Sequence, residues 1–538
     1  MCYAIQHHED TISNGLKLDE YFEKLCFSSP AFHYAIKNHG QCSIREFIKK
    51  MIITQKNGYQ ECDDLWSIVY DYVKKLLGDD TACETIEALK NDKIALTANH
   101  HGVDYFAQSV QGSMLFSMFF KEKLLKSKII PIIACGNISL NNLTYPRGIL
   151  IYNLEENSFN QIPQKLSIFP DREKTKTVCA VPSITKEYLN NAIKKCNVLK
   201  KDKVISSKLY DTLIYILQQH YMDPIVLDQK TYSEQAVLLN FKLWKQLFKG
   251  NLQDHKLVYL ELEEIASRLI EQDLFNQSSL LYITLFDPLI RQGIIDGLNC
   301  KKACWENKIL ENRCSIKFDK QIKNSQNGNC GTHFFWGIDK NQRRISFILN
   351  IDGNDKPSLV GINENNQPVH IPFEAEILRE KLKKKEIIPS LFLSYLCISF
   401  ARGITCVGGY YQSEYLPVMK EKLIECLTSQ NSYKKIITEI RGIETKNYLS
   451  GMQTIMIMNA DRCIIPAGLV ELIASGGVNE QDMENISKIN FVDAHKASML
   501  DTLTDLKIEM NGDRNWKRMI SQQNYLQLKD NLVIRDKI

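Results

Sequence analysis

The sequence of 538 residues lacks a strong excess of charge, because 67 basic and 63 acidic residues leave a net charge of +4. Both signs are mixed along the chain, so no strong long-range field of one sign is expected. The main basic cluster, at residues 381–385, follows several glutamates and is typical of a solvated helix face. Nucleic acid is therefore not an expected partner.

Long hydrophobic runs are also missing. The longest, residues 391–401, has about eleven residues, whereas a helix that crosses a bilayer needs roughly twenty. The opening MCYAIQHHEDTIS has neither the basic leader nor the apolar segment of a secretory signal. We therefore expect a cytoplasmic protein without a transmembrane segment.

Several familiar motifs are absent as well. The chain contains no P-loop, no dinucleotide-binding fingerprint and no G-x-S-x-G elbow for a serine nucleophile. Its 16 cysteines are scattered through a large chain, which favours reduced thiols over a disulfide framework. One group comes close to zinc-ligand spacing and consists of Cys300, Cys304, Cys314, Cys330 and His333. Buried or incidental thiols are the favoured interpretation, so no metal is predicted.

Short strands alternate with helices along the sequence. Four branched, apolar runs at 93–98, 128–135, 148–153 and 165–170 are bounded by Gly, Pro or Asn and predict strands. The run LLYITLFDP at 280–288 is also strand-like, and residues 331–363 alternate like an antiparallel meander. These features predict an α/β protein with a mixed or mostly parallel sheet, substantial helical insertions and two or more subdomains.

The same features divide the chain into five regions. Residues 1–90 are predicted to be a helical N-terminal region, and 91–200 an α/β region that carries a His-His-Gly-Val-Asp motif. Residues 201–320 are predicted to be mainly helical, 321–480 a second α/β region, and 481–538 a helical C-terminal extension. An Asn-rich stretch at 319–331 is the best candidate for a boundary. The polar extension offers a surface for a partner protein.

One stretch, KIALTANHHGVDYFAQ at residues 93–108, has a pattern that suggests catalytic residues. An apolar strand ends in His100 and His101, and Asp104 follows three residues later. A neutral imidazole can accept a proton near neutral pH, since its intrinsic pKa is about 6.5. The buried strand would fix the backbone position of the histidine, and Asp104 would hold either the ring or its loop. We predict His100 as a general base and Asp104 as its supporting residue.

Other residues are candidates for substrate binding. Arg147 ends an Asn-rich loop before a strand, a position where α/β proteins often carry binding groups. Arg402 precedes a glycine pair at 408–409, and paired glycines let a backbone approach a ligand closely. We predict His101, Arg147 and Arg402 as substrate-binding residues and expect Arg147 to lie near the cleft of His100.

The motif resembles the H-x-x-x-D motif of the chloramphenicol-acetyltransferase-like superfamily, with Tyr105 where that superfamily usually has glycine. HFFWG, at residues 333–337, is similar to the D-F-G-W-G motif found downstream in some members. The resemblance implies that His100 deprotonates an acceptor that attacks an acyl thioester. It also implies a structural role for Asp104.

A second resemblance is to the glycerolipid acyltransferases, which carry N-H-x-S-x-x-D after a strand and F-P-E-G further along. Asn99-His100 follows a strand here, and FPDR at residues 169–172 is similar to the second motif. The His-to-Asp spacing is one residue shorter, and Gly102 replaces the serine. This resemblance implies that Arg172 binds an anionic part of the acceptor.

Both resemblances imply an acyltransferase that moves an acyl group from a thioester donor to a hydroxyl or amine. The implied co-substrate is acyl-CoA or an acyl carrier, the implied acceptor is a small or lipid-like molecule, and no tightly bound cofactor is expected. The residues leave two alternatives open. One is a non-catalytic interaction or effector-like protein in which Asp104 merely caps the next helix. The other is a metal-dependent hydrolase.

Overall fold

The computed structural model describes residues 19–53, 62–122, 124–125, 127–155, 158, 161–314, 330–351, 356–459, 462–505 and 515–538. Residues 19–28 are helical. Further α-helices span Pro30–His39, Ile44–Ile53, Asp63–Leu77, Asp79–Asp92, Ala107–Phe116, Met118–Lys121, Lys186–Lys201, Ser207–Tyr215, Pro224–Leu227, Tyr232–Leu247, Leu262–Asp273, Leu280–Phe286, Pro288–Gly297, Asn307–Cys314, Ala375–Lys383, Leu391–Tyr395, Gln412–Thr428, Lys434–Arg441, Leu469–Ala474, Glu480–Lys488, Phe491–Ala497, Met499–Asp505 and Trp516–Leu528. None of the helices in these ranges is long and apolar enough to cross a lipid bilayer.

The strands fall into four sheets. In chain order they are β1 Ile94–Leu96, β2 Ile129–Ala134, β3 Gly148–Ile151, β4 Gln164–Ser167, β5 Lys256–Glu261, β6 Phe335–Ile338, β7 Arg344–Asn350, β8 Ser358–Ile362, β9 Pro368–Pro372, β10 Ile387–Pro389, β11 Thr405–Gly409, β12 Tyr448–Ser450, β13 Ile455–Asn459, β14 Cys463–Pro466 and β15 Val533–Arg535. The predicted α/β class is confirmed.

The central sheet has five parallel strands in the order β12-β11-β1-β2-β5. Its second and third strands along the chain lie on one side of β1, and its fourth and fifth lie on the other. This is a doubly wound order, and such sheets bind ligands beyond the carboxyl ends of their strands. The parallel pairing of Leu96 with Ile132 brings the ends of β1 and β2 to the same edge.

The sequences of β1 and β2 explain their central position. Their segments, IAL and IIPIIA, are apolar and buried along their whole length. A continuous apolar run is typical of a parallel strand that is covered on both faces. The polar residues that follow each strand therefore emerge together at the carboxyl edge of the sheet.

A second five-stranded sheet is antiparallel throughout, in the order β10-β6-β7-β8-β9. Its three central strands fall within the predicted meander, which is confirmed. In β7 the burial alternates along the strand, as expected for a strand with one face toward the core. The remaining sheets are β14-β13-β15 and the hairpin β3-β4.

Residues 280–288 form helices, so the strand predicted there is wrong. The Ser279 side chain accepts a hydrogen bond from the amide of Tyr282 and caps the helix Leu280–Phe286. Asp287 then caps the next helix, which begins at Pro288. An apolar run this short does not reveal its period, and the capping residues on either side favour helices.

The C-terminal region is built into the core rather than extending from it. Strand β15 pairs in parallel with β13, with Val533 opposite Ile455. Leu503 and Ile520 belong to an apolar cluster that includes Phe22 from the first described helix. A larger cluster of buried apolar residues also runs through all five predicted regions, so their boundaries do not separate independent cores.

Arg402 lies at the amino edge of the parallel sheet, just before β11, whereas His100 follows the carboxyl end of β1. Its Nη1 atom donates to Asp273 at 3.1 Å, and its Nε atom donates to Asp64 at 3.0 Å. These carboxylates raise the pKa of Arg402 although burial of the side chain opposes them. The structure therefore does not bring Arg402 into the cleft of His100, because its guanidinium pairs with Asp64 and Asp273 at the opposite edge of the sheet.

We expect Arg402→Met to lower the free energy of unfolding by about 3–5 kcal/mol, because removing one member of a buried ion pair leaves an uncompensated charge. Urea denaturation followed by circular dichroism measures the change. Arg172→Met is the control, since that side chain is 75% exposed and its loss should change the free energy of unfolding far less. Equal effects of the two substitutions would contradict a structural role for Arg402.

Candidate functional site

A cavity of about 560 Å³ opens at the carboxyl edge of the parallel sheet. Its walls come from the loops after β1 and β2, the start of the helix after β5, residues 300–306, and strands β6 and β7. The lining includes polar, charged and aromatic side chains, among them His100, Cys135, Asn137, Glu263, Trp336 and Arg344. The volume lies within the range of about 300–1,000 Å³ that is usual for small-molecule sites.

His100 is half-buried and lines this cavity. Its Nδ1 atom lies 3.2 Å from the hydroxyl of Thr144, and that hydroxyl donates to the Asn142 side chain at 3.4 Å. Because the Thr144 proton is used on Asn142, we assign the Nδ1 position of His100 as the donor to Thr144. The lone pair then lies on Nε2, which accepts no hydrogen bond within the described part of the chain.

Burial lowers the pKa of His100 below its ordinary value of 6.5, although the contact with Asn142 opposes this effect. The ring is therefore neutral at pH 7. A neutral ring whose tautomer is fixed by a second hydrogen bond is the form that acts as a general base.

Asp104 holds the loop that carries His100. One carboxylate oxygen accepts from Asn99 Nδ2 and from the Tyr259 hydroxyl, each at 2.9 Å. The other accepts from Ser109 Oγ at 2.6 Å and from the amide of Phe106 at 3.1 Å. Burial raises the pKa of Asp104, and these four donors oppose the shift. Asp104 bonds to neither histidine, so its contacts correspond to the loop-fixing role.

His101 points into the protein rather than into the cavity. It is fully buried, and its Nε2 atom lies 2.9 Å from Ser233 Oγ. The same hydroxyl donates to the carboxylate of Glu261. Burial lowers the pKa of His101 to about 4. The structure thus gives the two adjacent histidines different surroundings, and the substrate-binding role of His101 remains a prediction.

The turn after the two histidines requires glycine. Gly102 has a φ of +129°, and a Cβ atom there would lie 2.7 Å from the Cβ of Pro146. The Asn240 side chain fixes the same turn, since it donates to the Gly102 carbonyl at 2.8 Å and accepts from the Asp104 amide at 3.0 Å. The backbone that positions His100 therefore has little freedom.

Glu263 joins the loop after β2 to the end of β5. Its carboxylate accepts from the amide of Gly136 at 2.7 Å, from the amide of Asn137 at 3.0 Å and from the Cys135 thiol at 3.2 Å. Burial raises the pKa of Glu263 and of Cys135. The Cys135 thiol is consequently protonated near neutral pH, which makes it a poor nucleophile.

Arg147 and Arg172 lie outside the lining of the cavity. Arg147 is buried, and its Nη2 atom donates to Asp171 at 2.9 Å. Arg172 is exposed and lies 3.4 Å from Glu173. Arg147 follows Pro146, which lies close to Gly102 in the loop of His100. Their substrate-binding roles remain predictions.

His333 uses both ring nitrogens within the protein. Its Nδ1 atom accepts from the amide of Leu349 at 3.1 Å, so its Nε2 atom donates to Asn307 at 2.9 Å. Burial lowers its pKa to about 4. Cys300, Cys304 and Cys330 line the cavity, and the side chain of Cys314 lies outside the described residues. Among the residues that are described, no three His, Cys, Asp or Glu side chains are placed to hold a metal ion.

A second cavity of about 670 Å³ adjoins the first and is lined by apolar residues such as Phe47, Met51 and Val418. Lys302 lines both cavities. Its Nζ atom lies 3.9 Å from the centre of the Tyr411 ring and pairs with Glu414. Lys302 therefore lines both a polar cavity and an apolar cavity.

Sequence reasoning found His100 but missed Glu263, at the start of the helix after β5, and Arg344, at the start of β7. The signal for Glu263 was its place directly after β5, at the same edge as His100. Comparison with protein-family models, with curated proteins and with solved structures found no match for this chain. The chemistry of the site therefore has to be inferred from its own geometry.

We expect Thr144→Val to release the ring tautomer of His100, because valine keeps the shape of threonine but cannot accept the Nδ1 proton. Nitrogen NMR of selectively labelled histidine measures the tautomer, with His100→Gln identifying the signal. The wild type should carry the proton on Nδ1, and the variant should show a mixture. Thr438→Val is the control, since that exposed hydroxyl bonds only within its own helix. An unchanged His100 signal in Thr144→Val would contradict the assignment.

Proposed function

We propose that this protein is an acyltransferase in which His100 acts as the general base for a hydroxyl or amine acceptor. The observation that carries the proposal is the His100 ring beside a cavity of ligand size, with its Nδ1 side bonded to Thr144 and its Nε2 atom without a hydrogen-bond partner among the described residues. Placed just beyond a buried strand, such a ring is held firmly enough to act on a bound molecule.

In the proposed reaction, Nε2 of His100 takes the proton of the acceptor as its oxygen or nitrogen attacks the carbonyl carbon of an acyl thioester. The new acyl–oxygen or acyl–nitrogen bond forms, and the carbon–sulfur bond breaks. The imidazolium then returns its proton to the departing thiolate. General-base catalysis of this kind typically contributes about 10²–10⁴-fold to the rate.

Two further features support transfer of an acyl group. The apolar cavity beside Lys302 offers space for a hydrocarbon portion of the donor. The high pKa of the Cys135 thiol favours direct transfer to the acceptor over an acyl-cysteine intermediate. Acyl-CoA or an acyl carrier is the proposed donor, and no bound cofactor is needed for these steps.

The backbone around Lys302 is unusual in a way that suits a binding loop. Cys300 and Ala303 have φ values of 58° and 62°, a left-handed conformation that non-glycine residues rarely adopt. Such conformations occur where the surrounding structure enforces them, often at ligand sites. The surrounding structure thus holds the loop that carries Lys302 in a backbone conformation that non-glycine residues rarely adopt.

We expect His100→Gln to lower kcat/KM by about 10²–10⁴-fold, because the substitution removes the base. Release of free thiol from acyl-CoA donors, in the presence of a panel of alcohols and amines, measures the activity. His370→Gln is the matched control, since His370 lies exposed on β9, at the edge of the antiparallel sheet. If wild type releases no thiol with any acceptor, or if His100→Gln is as active as wild type, the proposal fails.

The dependence of kcat/KM on pH should report the same ring. Because burial lowers the pKa of His100, its base form predominates at pH 7 and is lost as the pH falls through a pKa below the ordinary 6.5. Activity should therefore be level above pH 7 and fall as the pH drops through the lowered pKa. A rate that rises as the pH is lowered would contradict a basic role for His100.

A further inference from the structure

Arg344, the first residue of β7, places a cation in the wall of the cavity. Its Nη1 atom donates to the Asn137 carbonyl at 3.1 Å, and its guanidinium carbon lies 4.8 Å from the centre of the Trp336 ring. Among the described residues, no carboxylate forms a salt bridge with it. The carbonyl and the aromatic ring position the guanidinium, but neither supplies a full negative charge.

The preceding residue, Arg343, lies just before β7 and has a salt-bridge partner. Arg343 pairs with Glu364, which neutralises its charge at the surface. Arg344 lines the cavity instead and forms no salt bridge among the described residues. Its guanidinium has only a longer-range attraction to Glu263 in the same cavity wall.

Glu263 also lines the cavity, but its carboxylate is already engaged. It accepts from the amides of Gly136 and Asn137 and from the thiol of Cys135, which fixes the loop after β2. Arg344 bonds to the carbonyl of the same loop. Glu263 and Arg344 thus both bond to the loop after β2. Arginine has five N–H groups, so the guanidinium keeps further donors for a ligand.

Asn137 supplies a second polar group at the same place. It is 8% exposed and lines the cavity, and its Oδ1 atom has no hydrogen-bond partner in the described part of the protein. Buried polar atoms are nearly always paired, so an unpaired one in a cavity wall indicates a position for a ligand or water. Lys301, exposed on the rim, adds a positive charge.

We propose that Arg344 is the anchor of an oxyanion subsite in the cavity, with Lys301 adding charge, whereas Asn137 Oδ1, an acceptor, would face an O–H or N–H donor elsewhere on the same ligand rather than its anionic oxygens. The ligand would carry a phosphate or a carboxylate group, since both match the planar fork of a guanidinium. This subsite goes beyond the proposed acyl transfer, because it concerns what the cavity binds rather than which bond is made.

Inorganic phosphate and acetate are the probes, each titrated by calorimetry into wild type, Arg344→Gln and Arg343→Gln at a fixed ionic strength set with chloride. We expect wild type to bind at least one of the two anions. Arg344→Gln should weaken that binding about tenfold or more, the usual effect of losing a charge-assisted hydrogen bond. Arg343→Gln should bind as wild type does.

Phosphate and acetate identify which oxyanion the subsite takes, and binding of either one through Arg344 supports the proposal. Circular dichroism checks that Arg344→Gln is folded, and Arg344→Lys, which keeps the charge but not the fork, should show intermediate binding. The proposal is overturned if wild type binds neither anion, if Arg344→Gln binds as tightly as wild type, or if Arg343→Gln loses as much affinity. Because no turnover is measured, failure of the subsite is distinguishable from failure of acyl transfer.

Discussion

The loop that carries His100 depends on one buried carboxylate, that of Asp104. Burying a carboxylate is costly unless donors surround it, and here four donors do so, from Asn99 directly before His100 to Tyr259 in β5. These bonds tie the end of β1 to β5 and to the start of the next helix. The position of the His100 ring is therefore a consequence of the fold rather than of the loop alone.

A second carboxylate organises the other side of the same edge. The Glu263 carboxylate holds the loop after β2 by accepting hydrogen bonds from two amides of that loop. The Asn137 carbonyl in the same loop accepts a hydrogen bond from Arg344, which comes from the antiparallel sheet. The doubly wound strand order makes this possible, because it brings segments that are far apart in sequence to one edge. The His100 ring, a cation and a cavity meet there, and the buried polar groups between them keep the walls in place.

The sequence was informative where structure depends on local pattern. The apolar strands, the meander and the place of His100 at the end of β1 follow from short-range periodicity and were predicted. Arg402 lies away from His100, because an arginine just before a parallel strand lies at the amino edge, and its partners Asp64 and Asp273 are distant in sequence. Arg344 was missed because only the packing of the antiparallel sheet beside the loop after β2 brings it there.

Carbethoxylation of histidine, mapped by mass spectrometry, is the most direct measurement of whether His100 stands open to the cavity as a neutral base. The reagent attacks unprotonated imidazole that it can reach. At pH 7 we expect His100 to be modified in the folded protein, with thiol release lost in proportion, while the buried His101 and His333 stay unmodified. Modification of the exposed His370 alone, with His100 protected and activity retained, would contradict the proposed role of the ring.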